Sequence, residues 1–231
     1  MSFIICDSTT HKLVDVVRDR KSYSLKKYFH RFEPKTRLKV KTISIDMYLP
    51  YIQLIKEMFP NAKIIIDPFH IVQALNRELN RTRVRVMNKH RYKDSKLYRK
   101  LKHYWKLILK NSNELQNYKY NRYKLFESFI TSKGIVDYIL EKNPSLKNDY
   151  EVVHSLRECI QDRDYIEFKE TIEAATQLDL SPGLKRVLKT LMTYLPYIQN
   201  TCEYPTRTNG PIEGCLLYTS DAADERSSGD L

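Results

Sequence analysis

Short apolar runs and amphipathic stretches alternate along the first third of the chain. Residues 2–6 and 12–17 are apolar runs typical of strands, and the turn-forming residues 7–11 between them predict a β-hairpin. Residues 22–32 then carry apolar side chains at helical spacing, and Pro34 follows them. This pattern predicts a helix directly after the hairpin.

Two further strands follow, and a helix separates them. Residues 40–45 alternate apolar and polar side chains as a half-buried strand does, residues 48–59 are amphipathic, and residues 62–66 form a second buried run. The predicted order is therefore strand, strand, helix, strand, helix, strand. That order predicts an α/β sheet for this part of the chain.

Beyond Pro68 the pattern becomes helical. The chain from residue 69 to residue 195 reads as helix, with breaks near Gly134, Pro144 and Pro182. A mostly helical block therefore follows the sheet. The domain organisation we predict is a core part over residues 1–76, a basic helical insertion over 77–200 and a return to the core over 201–214.

The charge balance of the chain favours a polyanionic partner. Its 231 residues include 40 Lys and Arg against 28 Asp and Glu, which gives a formal net charge of +12 and a pI near 9.4. Nucleic acid is the first expectation and an anionic membrane surface the second. Because no apolar run approaches the ~18 residues of a membrane span, and the four cysteines lack zinc-site spacing, we expect an intracellular protein with reduced thiols.

Most of the positive charge lies in residues 77–124. This window holds sixteen Lys and Arg against three acidic residues, a net charge of +13. Seven aromatic residues are interleaved with the charges, and basic side chains with aromatics suit DNA or RNA. The alternative is a solvated helical face whose aromatics pack in the helical core. The candidate DNA-binding residues are Arg77, Arg81, Arg83, Arg85, Lys89, Arg91, Lys96, Arg99 and Lys100.

Two aspartates directly follow predicted strands. Asp46 comes after residues 40–45 and Asp67 after residues 62–66, so both are expected at the rim of the sheet, where α/β folds bind ligands. Two or three such carboxylates can hold a pair of Mg²⁺ ions for phosphodiester chemistry. The alternative is that each aspartate is simply the N-cap of the next helix.

Four motifs occur in a fixed order along residues 1–214. They are Ser44-x-Asp46-Met47 before a helix, Phe59-Pro60-Asn61-Ala62 before a strand, Asp67-x-Phe69-His70 at a strand end, and Asn209-Gly210-x-Ile212-Glu213-Gly214 far downstream. Each motif alone is weakly specific, but the ordered combination resembles one family, the DDE transposases of bacterial insertion sequences, of the ISL3 type.

The resemblance implies a ribonuclease-H-like core with a helical insertion and a two-metal site for Mg²⁺ or Mn²⁺. In that reading Asp46 and Glu213 are catalytic residues and metal ligands. Asp67 and His70 have a supporting or DNA-positioning role, and Asn209 with Gly210 forms a turn that orients Glu213. The alternatives are a packed or capping histidine at position 70 and an exposed carboxylate at a helix N-terminus for Glu213.

The resemblance also implies an activity and its partners. Such an enzyme cleaves DNA strands at insertion-sequence ends and joins them to target DNA, acts as a homo-oligomer in a synaptic complex and works in the bacterial cytoplasm at the nucleoid, with no membrane partner. Two other functions stay open from the residues. They are a non-catalytic nucleic-acid-binding module and a ribonuclease-H-like nuclease acting on RNA.

Both ends of the chain depart from the family pattern. The family's first catalytic aspartate belongs on a strand upstream of the hairpin, and this chain starts at the hairpin, so we expect an inactive fragment of a longer parent enzyme. One codon choice for residues 215–220, TGT CTC TTA TAC ACA TCT, resembles a tagmentation sequencing adapter. We therefore expect residues 215–231 to be a non-native tail without function.

Overall fold

A computed structural model describes residues 2–205, which form two compact units. Of the described residues, unit 1 comprises 2–71 and 196–205, and unit 2 comprises 72–195. Each unit is described by itself below. Within the described residues, no helix is both long and apolar enough to cross a membrane.

The strands of unit 1 form two separate pairs. β1 (Phe3–Cys6) and β2 (Leu13–Val17) form the antiparallel hairpin that the sequence predicted. β3 (Thr42–Ile45) and β4 (Lys63–Ile66) pair in parallel, with Ile45 opposite Ile66. The single sheet that we expected is therefore not present in the described part of the chain. A groove of about 390 Å³, lined by residues of both β1 and β3, lies between the two pairs.

Three helices complete the described N-terminal part of unit 1. They are α1 (Ser22–Phe29), α2 (Pro34–Arg37) and α3 (Leu49–Met58). α1 ends three residues before the predicted boundary at residue 32, because the last N–H groups bond to carbonyls three residues back rather than four. Its Leu25 side chain is fully buried, so α1 is fixed to the core along one face.

Unit 2 is helical apart from one irregular stretch. α4 begins in unit 1 and continues into unit 2, and α10 begins in unit 2 and ends in unit 1. The helices are α4 (Pro68–His90), α5 (Ser95–His103), α6 (Trp105–Leu109), a 3₁₀ turn (Ser112–Glu114), α7 (Ser132–Glu141), α8 (Pro144–Asp162), α9 (Tyr165–Ala175) and α10 (Pro182–Glu203).

The helical prediction was wrong for residues 115–131. This stretch is irregular, and an antiparallel bridge joins Asn121 and Ile130 within it. Leu125 adopts a left-handed backbone with φ of 71°, which a helix cannot contain. Residues 116–124 contain no Ala, Val, Leu, Ile, Met or Phe, so they offer no apolar face to stabilise a helix.

A buried carboxylate joins three segments of unit 2. The Asp149 side chain on α8 is fully buried. It accepts hydrogen bonds from the Thr82 hydroxyl of α4 at 2.7 Å and from the Ser181 backbone N–H at 2.9 Å. The Ser181 hydroxyl in turn accepts from Leu184 N–H in the first turn of α10. Because buried polar groups are costly without partners, Asp149 fixes how these segments pack.

A second buried polar group of α8 contacts α6. The His154 side chain is 4% exposed, its Nε2 lies 3.3 Å from the Ile108 carbonyl, and its ring packs 4.0 Å from the Tyr150 ring. Burial and the Arg157 charge lower the pKa of His154 to about 4, which outweighs the opposing effects of the Ile108 hydrogen bond and Glu158. His154 is therefore a neutral packed group at neutral pH.

Helix α10 continues beyond the predicted end at residue 195. Pro196 lies inside the helix and is exposed. After it, Asn200 Nδ2 donates to the Ile64 carbonyl and the Thr201 hydroxyl donates to the Ile66 carbonyl, both at 2.7 Å. These bonds to β4 compensate for the helical hydrogen bond that the proline cannot donate, so the helix extends to Glu203.

Candidate active site

The ends of β3 and β4 bring two predicted aspartates to one edge of unit 1. The parallel register sets Ile45 opposite Ile66, so the residues that follow them, Asp46 and Asp67, leave the sheet side by side. The Asp67 N–H donates to the Ile45 carbonyl at 3.0 Å and extends the ladder by one bond. A rigid pair of strands thus positions both carboxylates.

Asp67 serves as the cap of α4. Its side chain is 1% exposed, and its Oδ1 accepts from the Phe69 N–H at 2.9 Å. Its backbone carbonyl accepts from the His70 N–H at 3.1 Å. These contacts are those of a helix N-cap, as the alternative interpretation of Asp67 predicted, because both hydrogen bonds belong to the first turn of α4.

The first turn of α4 orients His70 toward Asp46. The His70 Nε2 lies 2.7 Å from Asp46 Oδ1, while the Asp46 side chain is 55% exposed and the His70 side chain is 23% exposed. Because the ionised carboxylate has no proton, Nε2 carries the hydrogen of this bond. One carboxylate oxygen is therefore held by the imidazole, and the side chain as a whole stays open to solvent.

The predicted partners of Asp46 in metal binding lie outside the described residues. The predicted ligand is Glu213, and the predicted turn that orients it, Asn209 with Gly210, lies outside them as well. Among residues 2–205, no group of three or more His, Cys, Asp or Glu side chains is placed to hold a metal ion. The exposed carboxylate of Asp46 fits Mg²⁺, which prefers oxygen ligands and keeps several waters. The buried Asp67 cap does not fit as a direct ligand.

The predicted DNA-binding residues lie in unit 2, on α4, α5 and the turn between them, and most of them are exposed. Arg83 differs, because it is 7% exposed and donates to the Leu101 carbonyl at 2.9 Å. Burial lowers the pKa of Arg83. Lys100 is half-buried, with Nζ about 4 Å from the rings of Phe126 and Tyr138. The residues exposed to solvent are Arg77, Arg81, Arg85, Lys89, Arg91, Lys96 and Arg99.

The aromatic residues among these charges divide into two groups. Tyr104 is buried, and Tyr98 and Tyr123 are half-buried. The exposed side chains are Tyr92, Trp105, Tyr118 and Tyr120, with exposed fractions of 91%, 40%, 77% and 64%. The alternative in which these aromatics pack in the helical core is therefore wrong for four of the seven. Tyr92, Tyr118 and Tyr120 lie outside the helices and Trp105 is the first residue of α6, so helical spacing does not place them on a buried face.

Comparisons with known proteins identify the family of this chain. A family model described as a transposase, of the DDE class and ISL3 type, matches residues 1–216. The chain belongs to this family, the ISL3-type DDE transposases. The matched part includes the strand-end aspartates and extends to the downstream Glu213 motif.

A curated protein of Lactococcus lactis subsp. lactis also matches this chain. It is described as an ATP-dependent protease and is 30% identical over 96 residues, which are 42% of this chain and 30% of that protein. The chain thus spans less than a third of the length of that relative. No solved structure matches the chain.

Proposed function

We propose that this chain supplies part of the catalytic centre of a DNA transposase that cleaves strands at insertion-sequence ends and joins them to target DNA. The observation that carries the proposal is the Asp46–His70 pair at the carboxyl ends of two parallel strands, in a chain of the transposase family. The core is proposed to be ribonuclease-H-like, with β1 to β4 as four of its strands.

In this proposal Asp46 and Glu213 hold divalent metal, Mg²⁺ or Mn²⁺. Bound metal would activate the attacking oxygen, which is water in cleavage and a 3′-hydroxyl in strand transfer, and would stabilise the leaving oxygen. Asp46 provides a carboxylate whose position is fixed by β3. Its exposed fraction of 55% leaves room for the ion and the substrate phosphate.

His70 is proposed to position the Asp46 carboxylate. Its Nε2–H holds Oδ1 in one orientation, and the Asp67 cap holds the turn from which His70 projects. Residues that orient a metal-binding side chain in this way typically contribute a factor of about 10 to 100 in metal affinity or activity. Asp67 and His70 thus act through Asp46 rather than on the substrate.

DNA is the proposed partner, bound in part by the exposed basic residues of α4 and α5. Residues 77–124 carry a net charge of +13, and counterion release from a DNA backbone would drive binding. Their exposed tyrosines, such as Tyr92 and Tyr118, offer rings for stacking on bases or sugars. A homo-oligomer in the DNA complex is part of the same proposal.

The metal site can be tested in this chain without measuring catalysis. Fe²⁺ with ascorbate and peroxide, in competition with Mg²⁺, generates radicals that cut a polypeptide next to the bound ion, and mass spectrometry maps the cuts. We expect cuts near Asp46 that disappear in Asp46→Asn. The control Asp162→Asn, an exposed acid at the end of α8, leaves the cuts unchanged. Absence of cuts at this edge, or cuts that persist in Asp46→Asn, would overturn the metal assignment.

The reaction is tested in the parent enzyme, with a duplex that carries the insertion-sequence end and with Mg²⁺ or Mn²⁺. We expect strand cleavage that Asp46→Asn abolishes. His70→Ala should lower the rate about 10- to 100-fold, and His70→Gln, which retains an N–H donor, should recover part of it. Cleavage that survives Asp46→Asn, or a preference for RNA over DNA in competition, would contradict the proposed function.

A further inference from the structure

A second basic segment lies in unit 1, and the proposed function does not use it. Residues 18–41 contain ten Lys and Arg against two acidic residues, a net charge of +8. The segment starts directly after β2 and includes α1 and α2. Its charge density is about one net positive charge per three residues, so it forms a cationic surface of its own.

Helix α1 separates an apolar face from a basic one. Leu25 is fully buried on one side. Tyr23 and Lys27 are four residues apart and therefore neighbours on the opposite side, where Tyr23 is 78% exposed. Arg31 lies one turn further, with its guanidinium 5.4 Å from the Tyr28 ring. The solvent side of the helix thus carries an exposed aromatic ring beside a cation.

The acidic groups in and beside this segment do not cancel its excess of positive charge. Asp19 accepts from the Ser24 hydroxyl at 2.7 Å and from the Lys21 N–H at 3.1 Å, so its carboxylate serves as a turn and helix-start acceptor. Asp15 on β2 accepts from the Tyr28 hydroxyl at 2.7 Å. Both carboxylates are therefore held by hydrogen bonds to the turn and to α1.

Two of the basic side chains have structural roles and do not belong to the surface. Lys26 pairs with Glu57 of α3 at 2.5 Å, and Arg37 donates to the Met58 carbonyl at 2.9 Å. In contrast, Arg18, Arg20, Lys21 and Lys27 are exposed and form no ion pair with any residue in the described part of the chain. We call Arg18, Arg20, Lys21, Tyr23, Lys27 and Arg31 the α1 surface.

One end of the α1 surface lies near the candidate active site. Tyr51 of α3 links the two, because its ring contacts the Phe3 ring at 5.3 Å and Phe3 pairs with Val17, the residue before Arg18. Burial raises the pKa of Tyr51, the Arg20 charge lowers it, and Tyr48 and the Asp46 charge raise it. The Tyr51 ring also contacts the Tyr48 ring at 4.8 Å, two residues beyond Asp46 in the chain. The cationic surface therefore leads toward the exposed carboxylate.

We propose that the α1 surface binds the phosphate backbone of the DNA that reaches Asp46. This inference rests on the proposed function, which makes DNA the partner. A repulsive carboxylate at the site needs nearby cations to bring a polyanion close, and Arg20 with its neighbours supplies them within unit 1. Tyr23 stacks on a sugar or base at the same place. The α1 surface and the basic segment of unit 2 are two separate contacts with DNA.

The test compares the salt dependence of duplex binding, measured by fluorescence anisotropy with a duplex of about 30 base pairs. The α1 variant combines Arg20→Gln, Lys21→Gln, Lys27→Gln and Arg31→Gln. We expect the slope of log K against log salt to fall by about 3 to 4, because each phosphate contact contributes about 0.9. The matched control combines Lys142→Gln, Lys185→Gln, Arg186→Gln and Lys189→Gln in unit 2. The same loss of charge there should change the slope by less than about 1.

Three outcomes separate this inference from the proposed function. If the unaltered chain binds no DNA, the proposed function fails. If the chain binds DNA, and neutralising Arg85, Lys89, Arg91 and Lys96 weakens binding while the α1 variant does not, the α1 inference alone is overturned. The inference is also overturned if the α1 variant loses binding to vesicles of anionic lipid but keeps its affinity for DNA.

A cross-linking measurement avoids reliance on multiple substitutions. A photo-reactive benzoylphenylalanine at position 23 should cross-link to bound duplex. The same group at position 166, where Ile166 is 69% exposed on α9, should not. Equal cross-linking at both positions would refute the α1 surface as a specific contact.

Discussion

Acidification should destabilise unit 2 through His154. This imidazole is 4% exposed, and its pKa in the folded protein is about 4, against an ordinary value of 6.5. Between these two values the unfolded chain binds one proton more than the folded chain, so stability falls as the pH falls. The loss begins near pH 6.5 and is complete near pH 4.

The magnitude follows from the two pKa values. A difference of about 2.5 pKa units corresponds to about 3 kcal/mol in total. Between pH 7 and pH 5 the same linkage relation gives a loss of about 2 kcal/mol. Other titrating groups add their own pH dependence, so the contribution of His154 must be isolated by comparison with a variant. His154→Phe keeps a ring against Tyr150 and cannot take up the proton.

Trp105 provides the assay for this comparison. It is the single tryptophan of the chain, and it lies on α6, three residues before the Ile108 carbonyl that His154 contacts. Urea unfolding followed by Trp105 fluorescence therefore reports on this part of unit 2. We expect the free energy of unfolding to fall by about 2 kcal/mol more in the unaltered chain than in His154→Phe between pH 7 and pH 5. Equal pH dependence in both proteins would refute the assignment of a buried neutral histidine.

Three further expectations concern stability and reactivity. Asp149→Ala should lower the free energy of unfolding of unit 2 by about 3 kcal/mol in the same urea assay, because two buried donors lose their acceptor. A decrease of less than about 1 kcal/mol would contradict the hydrogen-bond network around Asp149. Thr201→Val should speed amide exchange in β4 about fivefold through the loss of one hydrogen bond, while the exposed Thr193→Val should leave it unchanged. Burial, with a smaller contribution from Glu167, raises the pKa of Cys159 to about 11, so iodoacetamide at about pH 8 should leave it unmodified until urea unfolds the chain. Rapid native-state labelling of Cys159 would refute this.

The strands and the strand-end residues were predictable because they depend on local signals. Each of β3 and β4 is an apolar run that stops at an aspartate, and a parallel pair necessarily brings Asp46 and Asp67 to one edge. The three-residue spacing from Asp67 to His70 is one helical turn. A capped helix therefore carries His70 to the neighbouring strand end, and the sequence contains all the information needed for that step.

The features that could not be predicted depend on contacts between distant segments. The continuation of α10 through Pro196 depends on Asn200 and Thr201 bonding to β4, about 135 residues earlier in the chain. The burial of Arg83 depends on the Leu101 carbonyl, which no helical periodicity reveals. The local sequence around Pro196 favours a helix end, and the local sequence around Arg83 favours an exposed cation. Tertiary contacts override both preferences. The cationic segment at residues 18–41 can be identified from the sequence, but only by counting charges over short windows.

The bonds from α10 to β4 also affect association between molecules. In a parallel strand, alternate residues direct their carbonyls to opposite edges, so Ile64 and Ile66 direct theirs away from β3. An outward row of acceptors is a template on which the strand of another molecule can assemble. Asn200 and Thr201 occupy these two acceptors with side-chain donors. The end of α10 therefore protects this edge from intermolecular strand pairing, so a variant that loses both side chains should aggregate at concentrations where the unaltered chain remains dispersed.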